Sequence, residues 1–238
     1  MKASSNPAAC GAAGSPVRIV LLGPPGAGKG SLASLYRARL GVAHLSTGEI
    51  FRHEIARKST LGRRVQRYVT NGRLVPDSLV VAVMAKQLAA LRGRGFVLDG
   101  FPRTAGQAAG LARVLARHRA SLDAAVYLTS PHGLLVRRLS GRRVCGRCGE
   151  NYHVRTMRPK RLGRCDRCGG RLVTRKDDEP ATIAKRLRID RHAARPLLAY
   201  YRRHKLLYPV NGKGRVETVH ERTMKLFRQR GWLSSVHD

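Results

Sequence analysis

From Val17 the chain opens on a nearly unbroken aliphatic run, Val17, Ile19, Val20, Leu21 and Leu22. A run without polar alternation predicts a strand covered on both faces, as in parallel sheets. It breaks into Gly23-Pro24-Pro25-Gly26-Ala27-Gly28-Lys29, and a helix-favouring segment from Ser31 to Leu40 follows, stopped by Gly41. The same rhythm continues. A short strand over Val42 to Ser46 leads to a helix from Thr47 to about Lys58, a helical stretch from Leu61 to Tyr68 stopped by Asn71-Gly72, and an extended link, Arg73 to Asp77. Asp77 or Ser78 is expected to cap a helix carrying Leu79 to Leu91. Strands at Gly95 to Asp99 and Asp123 to Thr129 alternate with helices at Ala105 to Arg117 and Pro131 to Leu139. Beyond a cysteine-bearing segment, helices are expected at Pro180 to Arg191 and Ala194 to Leu207, a strand at Arg215 to Val219 and a helix at Glu221 to Gln229. Strands alternating with helices predict an α/β fold, a parallel sheet wrapped on both faces.

With 238 residues, 42% of them apolar, the chain can bury a sizeable core. Its 47 basic and 14 acidic residues give a formal net charge of +33, which favours anionic ligands, nucleotides or nucleic acid; a general arginine bias displayed on solvated faces explains the same excess. No apolar run approaches the length of a membrane span, so no membrane partner is expected. Residues 1–16 hold a single lysine and no apolar stretch of signal-peptide length, and are expected to be a disordered extension of a cytoplasmic protein.

The glycine loop is where the chemistry begins. Gly26, Ala27, Gly28, Lys29, Gly30 and Ser31 follow a buried strand and open a helix, so successive backbone N–H groups aim at one phosphate, aided by the helix N-terminus. Lys29 adds a mobile charge. Gly30 follows it where a hydroxyl would usually bind magnesium directly. Taken alone, such a loop is also an ordinary strand-to-helix turn. Asp99 and Arg103 fall at the carboxyl end of a second strand, the rim on which open α/β sheets bind ligands, although a solvated salt bridge at a turn has the same appearance. Thr47 reads equally as an N-cap, and Arg52 alone as surface decoration. His44 and His153 read as packing or hydrogen-bonding residues.

Cys145, Cys148, Cys165 and Cys168 have the spacing C-x2-C-x16-C-x2-C, the pattern of two knuckles offering four thiolates to structural zinc. Besides cysteine, the only apolar residues from Arg142 to Asp178 are Val144, Tyr152, Val154, Met157, Leu162, Leu172 and Val173, too few for a core, so a metal or covalent staple is expected. Disulfides or a redox pair are the alternatives; Cys10 is left over and unpaired. The basic character of this segment also suits a nucleic-acid-binding ribbon.

Six motifs in order, GPPGAGKGS, LSTGEIFR (Leu45 to Arg52), GRLVPD (Gly72 to Asp77), GFVLDGFPRTAGQA (Gly95 to Ala108), GRRVCGRCGENYHV (Gly141 to Val154) and TRKDD (Thr174 to Asp178), resemble the adenylate kinases with a long, zinc-bearing lid. The likeness runs from Val17 to about Val219. It implies a P-loop core at 17–46, 74–141 and 179–238, an AMP-binding insert at 47–73 and a lid at 142–178. It further implies that Lys29, the loop amides, Arg138, Arg142 and Gly214 hold ATP, and that Thr47, Arg52, Leu74, Val75, Gly100, Arg103 and Gln107 hold AMP, with Gln107 on the adenine edge. Lys29, Arg103, Arg142, Arg175 and Arg186 would surround the transferring phosphoryl group, the last two also touching AMP. Asp177 and Asp178 would tie the lid shut, and Asp99 would orient Mg2+ through water, compatible with Gly30. Ser31 for the usual threonine, Glu49 for aspartate and Asn211-Gly212 for aspartate-glycine depart from the pattern without removing a catalytic charge.

The implied reaction, Mg-ATP plus AMP giving two ADP, needs no general base, because a phosphate with a second pKa of about 6 is already largely ionised. It needs alignment, spread positive charge and the exclusion of water, hence arginines and lids. The alternatives are a UMP/CMP-type kinase, disfavoured by the long lid and Gln107, and a basic zinc-ribbon nucleic-acid-binding protein. A monomer is expected, with non-specific nucleic-acid binding compatible with its charge.

Overall fold

The structure, a computed structural model, describes residues 16–233; the expected N-terminal extension and Cys10 fall almost wholly outside them. Five parallel strands form the main sheet: β1 (Arg18–Leu22), β2 (Ala43–Ser46), β3 (Phe96–Asp99), β4 (Ala124–Thr129) and β8 (Leu207–Asn211), in the order β2-β3-β1-β4-β8. A separate antiparallel sheet, β6 (Asn151–His153), β5 (Arg142–Cys145) and β7 (Leu172–Val173), lies in the cysteine segment.

The aliphatic run in β1 is buried on both faces. Ile19 and Leu21 enter a core with Leu32 and Tyr36 of α1 (Lys29–Leu40), Leu135 and Leu139 of α6 (His132–Ser140), and Phe227 of α8 (Val216–Gln229). Val20 and Leu22 enter the opposite core, with Met84 of α4 (Asp77–Ala89), Leu111 of α5 (Ala105–Arg117), and Leu197 and Tyr201 of α7 (Pro180–Arg203). Because β1 sits between β3 and β4, its crossovers diverge at its carboxyl end, and a crevice opens there.

Three expectations are corrected. The two helices foreseen at Pro180 to Arg191 and Ala194 to Leu207 are one 24-residue helix, α7, with Pro196 inside it. Packing of Ile183, Leu187, Leu197 and Tyr201 along a single face outweighs the lost N–H at Pro196. The last strand lies at Leu207–Asn211 instead of Arg215 to Val219, where Arg215 caps α8. Pro209 lies within this strand and is accommodated there because β8 is an edge strand beside β4, with an outer side on which proline need donate nothing. Asp77 begins α4 after Pro76 and does not cap it; its carboxylate instead accepts from Thr104 Oγ1 at 2.7 Å and Gln107 Nε2 at 2.8 Å.

The helices α2 (Thr47–Ala56) and α3 (Thr60–Thr70) pack closely at Gly62, where a Cβ would overlap the backbone of Glu54. Neither side of that contact is a movable side chain, so Gly62→Ala is expected to lower stability by about 1–3 kcal/mol in urea unfolding.

Candidate active site

The glycine loop joins β1 to α1 with Gly26 at φ +84° and Gly28 at φ +97°, a conformation costly for any other residue. Gly28 supplies no side-chain cap and no acidic residue occupies the first turn of α1, so its N–H groups and dipole are left for an anion. Lys29 Nζ donates to the carbonyls of Gly23 at 2.6 Å and Pro24 at 3.0 Å. Burial lowers its pKa to about 8, against the opposing pull of Asp99 and Asp190. Gly30 lies beside Asp99: a Cβ there would be 3.3 Å from Asp99 Oδ2. The missing side chain keeps that carboxylate accessible from the loop. Across the sheet, His44 Nε2 is 4.0 Å from the same oxygen.

The turn after β3 forms the opposite wall. Gly100, at φ +78°, turns its carbonyl to accept from Thr47 Oγ1 and Arg103 Nε, both at 2.9 Å. One backbone oxygen thus ties together residues from two elements expected to hold AMP. Thr47 is not the N-cap; Ser46 is, accepting from Glu49 N–H, which leaves the Thr47 hydroxyl for the site. The guanidinium of Arg52 lies over Gly48, where a Cβ would come within 3.0 Å of it. Gln107 is buried, with Oε1 accepting from Arg103 N–H at 2.8 Å and Nε2 donating to Asp77. Val75 is buried and Leu74 half-buried in the link before α4.

The third wall comes from the segment between β5 and α7. Arg142 donates from Nε to Asp178 Oδ2 at 2.7 Å and from Nη2 to Oδ1, a two-pronged ion pair. Arg186 Nη1 reaches Asp177 Oδ2 and Asp178 Oδ1, each at 2.9 Å. Arg175 Nη2 donates to Asn151 Oδ1 at 2.8 Å, whereas its Nε is buried without a partner. Burial, then repulsion from Arg142 and Arg52, brings the Arg175 pKa down to about 9. Burial likewise depresses Arg52 and Arg186, opposed chiefly by Asp177. Asp177 is pushed up by burial and pulled further down by Arg186, Arg52, Arg142 and Arg175. The cluster therefore holds more positive charge than its carboxylates balance, and one of its N–H groups faces no acceptor. It is suited to anions bearing several oxygens.

Arg138 projects from α6 to the carbonyls of Gly212 at 3.1 Å and Gly214 at 2.9 Å, and approaches Ala27, bridging the glycine loop to the turn after β8. Ser31 lies in the first turn of α1. Between the loop and α7 is a narrow cavity of about 30 Å³ bordered by Lys29, Gly100, Arg103 and Asp190. Sequence reasoning gave no site role to Asp190, which balances Lys29, to Asn151, which accepts from Arg175, or to Asp77, which holds Thr104 and Gln107; the last two lie inside quoted motifs, whereas nothing in the sequence marks Asp190.

The four cysteine Sγ atoms lie within 4.8 Å of one another, with Cys145–Cys168 at 3.4 Å and Cys148–Cys165 at 3.5 Å. Tetrahedral zinc thiolates with bonds of about 2.3 Å place sulfurs about 3.8 Å apart, so the set fits that ion. Tyr152 Oη donates to Cys165 Sγ, and Arg147 and Cys148 N–H point at Cys145 Sγ.

An amide cradle at the switch point of a parallel sheet, faced by a lysine and converging arginines, defines a phosphoryl-transfer enzyme of the glycine-loop class. The sequence model of the adenylate kinase family matches residues 21–206. Adenylate kinase of Clostridium tetani is 42% identical over 206 residues, spanning 86% of this chain and 95% of that protein. Those of Moorella thermoacetica (45% over 204 residues; 85% and 94%) and Syntrophomonas wolfei (43% over 197; 82% and 92%) are similar. The chain belongs to the adenylate kinase family, and its reaction is reversible phosphoryl transfer between ATP and AMP. The pyrimidine-kinase and nucleic-acid-binding alternatives are not favoured.

The depressed pKa of Lys29 gives a signature. The family resemblance implies that Lys29 holds the ATP phosphates; a phosphate there would favour the charged amine, raise its pKa and take up protons at pH values above the free-enzyme pKa. Calorimetry at pH 8.5 in buffers of differing ionisation enthalpy is expected to show net proton uptake, fading below pH 7 and absent in Lys29→Met.

Proposed function

We propose that the residues gathered at this crevice divide the work as the family resemblance implies. The buried, under-compensated guanidinium cluster carries the reading. Lys29 and the amides of Gly26, Ala27, Gly28, Gly30 and Ser31 hold the ATP phosphates, with Arg138 and Gly214 along its nucleoside. Thr47, Arg52 and Arg103 hold AMP against Gly100, Leu74 and Val75. Gln107 reads the adenine edge by exchanging one of its two internal partners. Arg142, Arg175 and Arg186 close over the transferring group. Their planar forks match its equatorial oxygens, and Asp177 and Asp178 hold them in place against mutual repulsion. Arg103 orients the attacking oxygen of AMP, already ionised at neutral pH. Mg2+, accompanying ATP, neutralises charge on the phosphates; Asp99 suits it as a partner through water, since the adjacent Gly30 leaves space beside Oδ2.

In this reading 47–73 is the AMP-binding insert and 142–178 a lid, the rest forming the core. Cys145, Cys148, Cys165 and Cys168 hold structural zinc, replacing the hydrophobic core that Cys145, Cys165 and Tyr152 alone could scarcely supply there. Among the described residues no helix is long and apolar enough to cross a membrane. A monomer working in the cytoplasm completes the reading.

A coupled assay with AMP, CMP, UMP and GMP is expected to show preference for AMP; preference for a pyrimidine monophosphate overturns the base assignment. Arg142→Ala is expected to lower turnover by at least about 100-fold with a much smaller change in the KM for either nucleotide. Full turnover in that variant removes Arg142 from the site. Metal analysis is expected to find one zinc per chain, lost in Cys165→Ser together with several degrees of thermal stability. Four freely titrating thiols in the purified protein would exclude the ion.

A further inference from the structure

A second and larger hollow lies on the far side of the glycine loop, between the start of α6 and the outer half of α7. Its volume is about 390 Å³, within the range of sites that bury small organic ligands. The nucleoside turn bridged by Arg138, at the other end of α6, does not line it. Its apolar surface is formed by Leu135 and Leu187, which are buried, and Leu198, half-buried.

Arg191, Arg195 and Arg202 border this floor. They stand at i, i+4 and i+11 on α7, a spacing that returns to one face over three turns, about 16 Å of helix. All three are exposed, and among the described residues none is engaged in an ion pair or a side-chain hydrogen bond. The acidic residue in the lining is Asp190, which also borders the catalytic cavity beside Lys29. His132 begins α6 on the opposite edge. That helix has Pro131 as its cap, with no side-chain cap hydrogen bond and no acidic residue in its first turn, so its dipole adds to the positive field. An apolar floor, three free guanidinium groups and an uncompensated helix start thus share one ligand-sized hollow.

We propose that this groove is a second ligand site, for an organic phosphate carrying a flat ring. The ring would rest on Leu135, Leu187 and Leu198, and the phosphate dianion would be held by Arg191, Arg195 and Arg202. The arginine fork matches phosphate oxygens in pairs, which favours a phosphate monoester over a single-charged carboxylate. Pro24 of the glycine loop and Tyr127 of β4 also line the groove, so its occupant contacts the back of the phosphate cradle.

The test is calorimetric titration of the whole protein with 1-naphthyl phosphate while the catalytic cleft is filled by diadenosine pentaphosphate, whose own binding is measured first. That first titration judges the kinase reading; the second judges the groove. Saturable binding is expected, at least tenfold tighter than inorganic phosphate or 1-naphthol alone. It is expected to weaken at least tenfold in Arg191→Ala/Arg195→Ala, with turnover unchanged, and to persist in Arg113→Ala, a loss of one charge at an exposed position of α5 that does not line the groove. Absence of binding, binding no tighter than phosphate alone, displacement by the dinucleotide, or equal loss in the α5 variant each overturns the proposal. Melting curves of both variants check that the exposed substitutions leave the fold intact.

Discussion

The structure depends on holding like charges together. Arg52, Arg142, Arg175 and Arg186 converge around Asp177 and Asp178, and repulsion among them lowers the pKa values of Arg52, Arg175 and Arg186 further than burial alone. In water such groups would separate; here the backbone brings them from α2, β5, the loop before α7 and α7 itself. Asp177 and Asp178 make this tolerable by sitting buried among them, with Asp178 gripped by both Arg142 and Arg186. The balance is deliberately incomplete in physical terms: the charge left over and the unpartnered Arg175 Nε supply the driving force for anions to enter. Catalysis of this kind needs little covalent participation from the protein, because the nucleophile arrives ionised and the arginines have only to align and neutralise.

The same constraint explains the sheet and its cores. Of the elements that carry the cluster, α7 packs Ile183 and Leu187 into one core and Leu197 and Tyr201 into the other, the same two cores that bury the faces of β1. On the opposite wall the single carbonyl of Gly100 fixes the positions of Thr47 and Arg103 at once. Asp77 holds Thr104 and Gln107, and Gln107 in turn holds the Arg103 backbone.

Much of this was legible in the chain. The aliphatic runs specify the parallel strands, the glycine loop and cysteine pairs announce their own chemistry, and the ordered motifs point to the family. What was not legible depended on position in space. The strand expected at Arg215 to Val219 lies at Leu207–Asn211, where Pro209 is accommodated on a sheet edge, and the break expected after Arg191 is absent because packing along α7 carries one helix through it and through Pro196. Asp190 lies beyond the last of the quoted motifs, which ends at Asp178, yet it borders the lysine cavity. Asp77 resembled a helix cap because its competing partners, Thr104 and Gln107, lie about thirty positions away along the chain.

The hydrogen bonds from Lys29 to the carbonyls of Gly23 and Pro24 have a consequence for how the enzyme begins its cycle. The ammonium group is parked on its own loop, already stripped of much of its water. A phosphate arriving at this amine would trade one set of oxygen acceptors for another instead of first dehydrating a solvated cation. The cradle resembles a latch closed on itself.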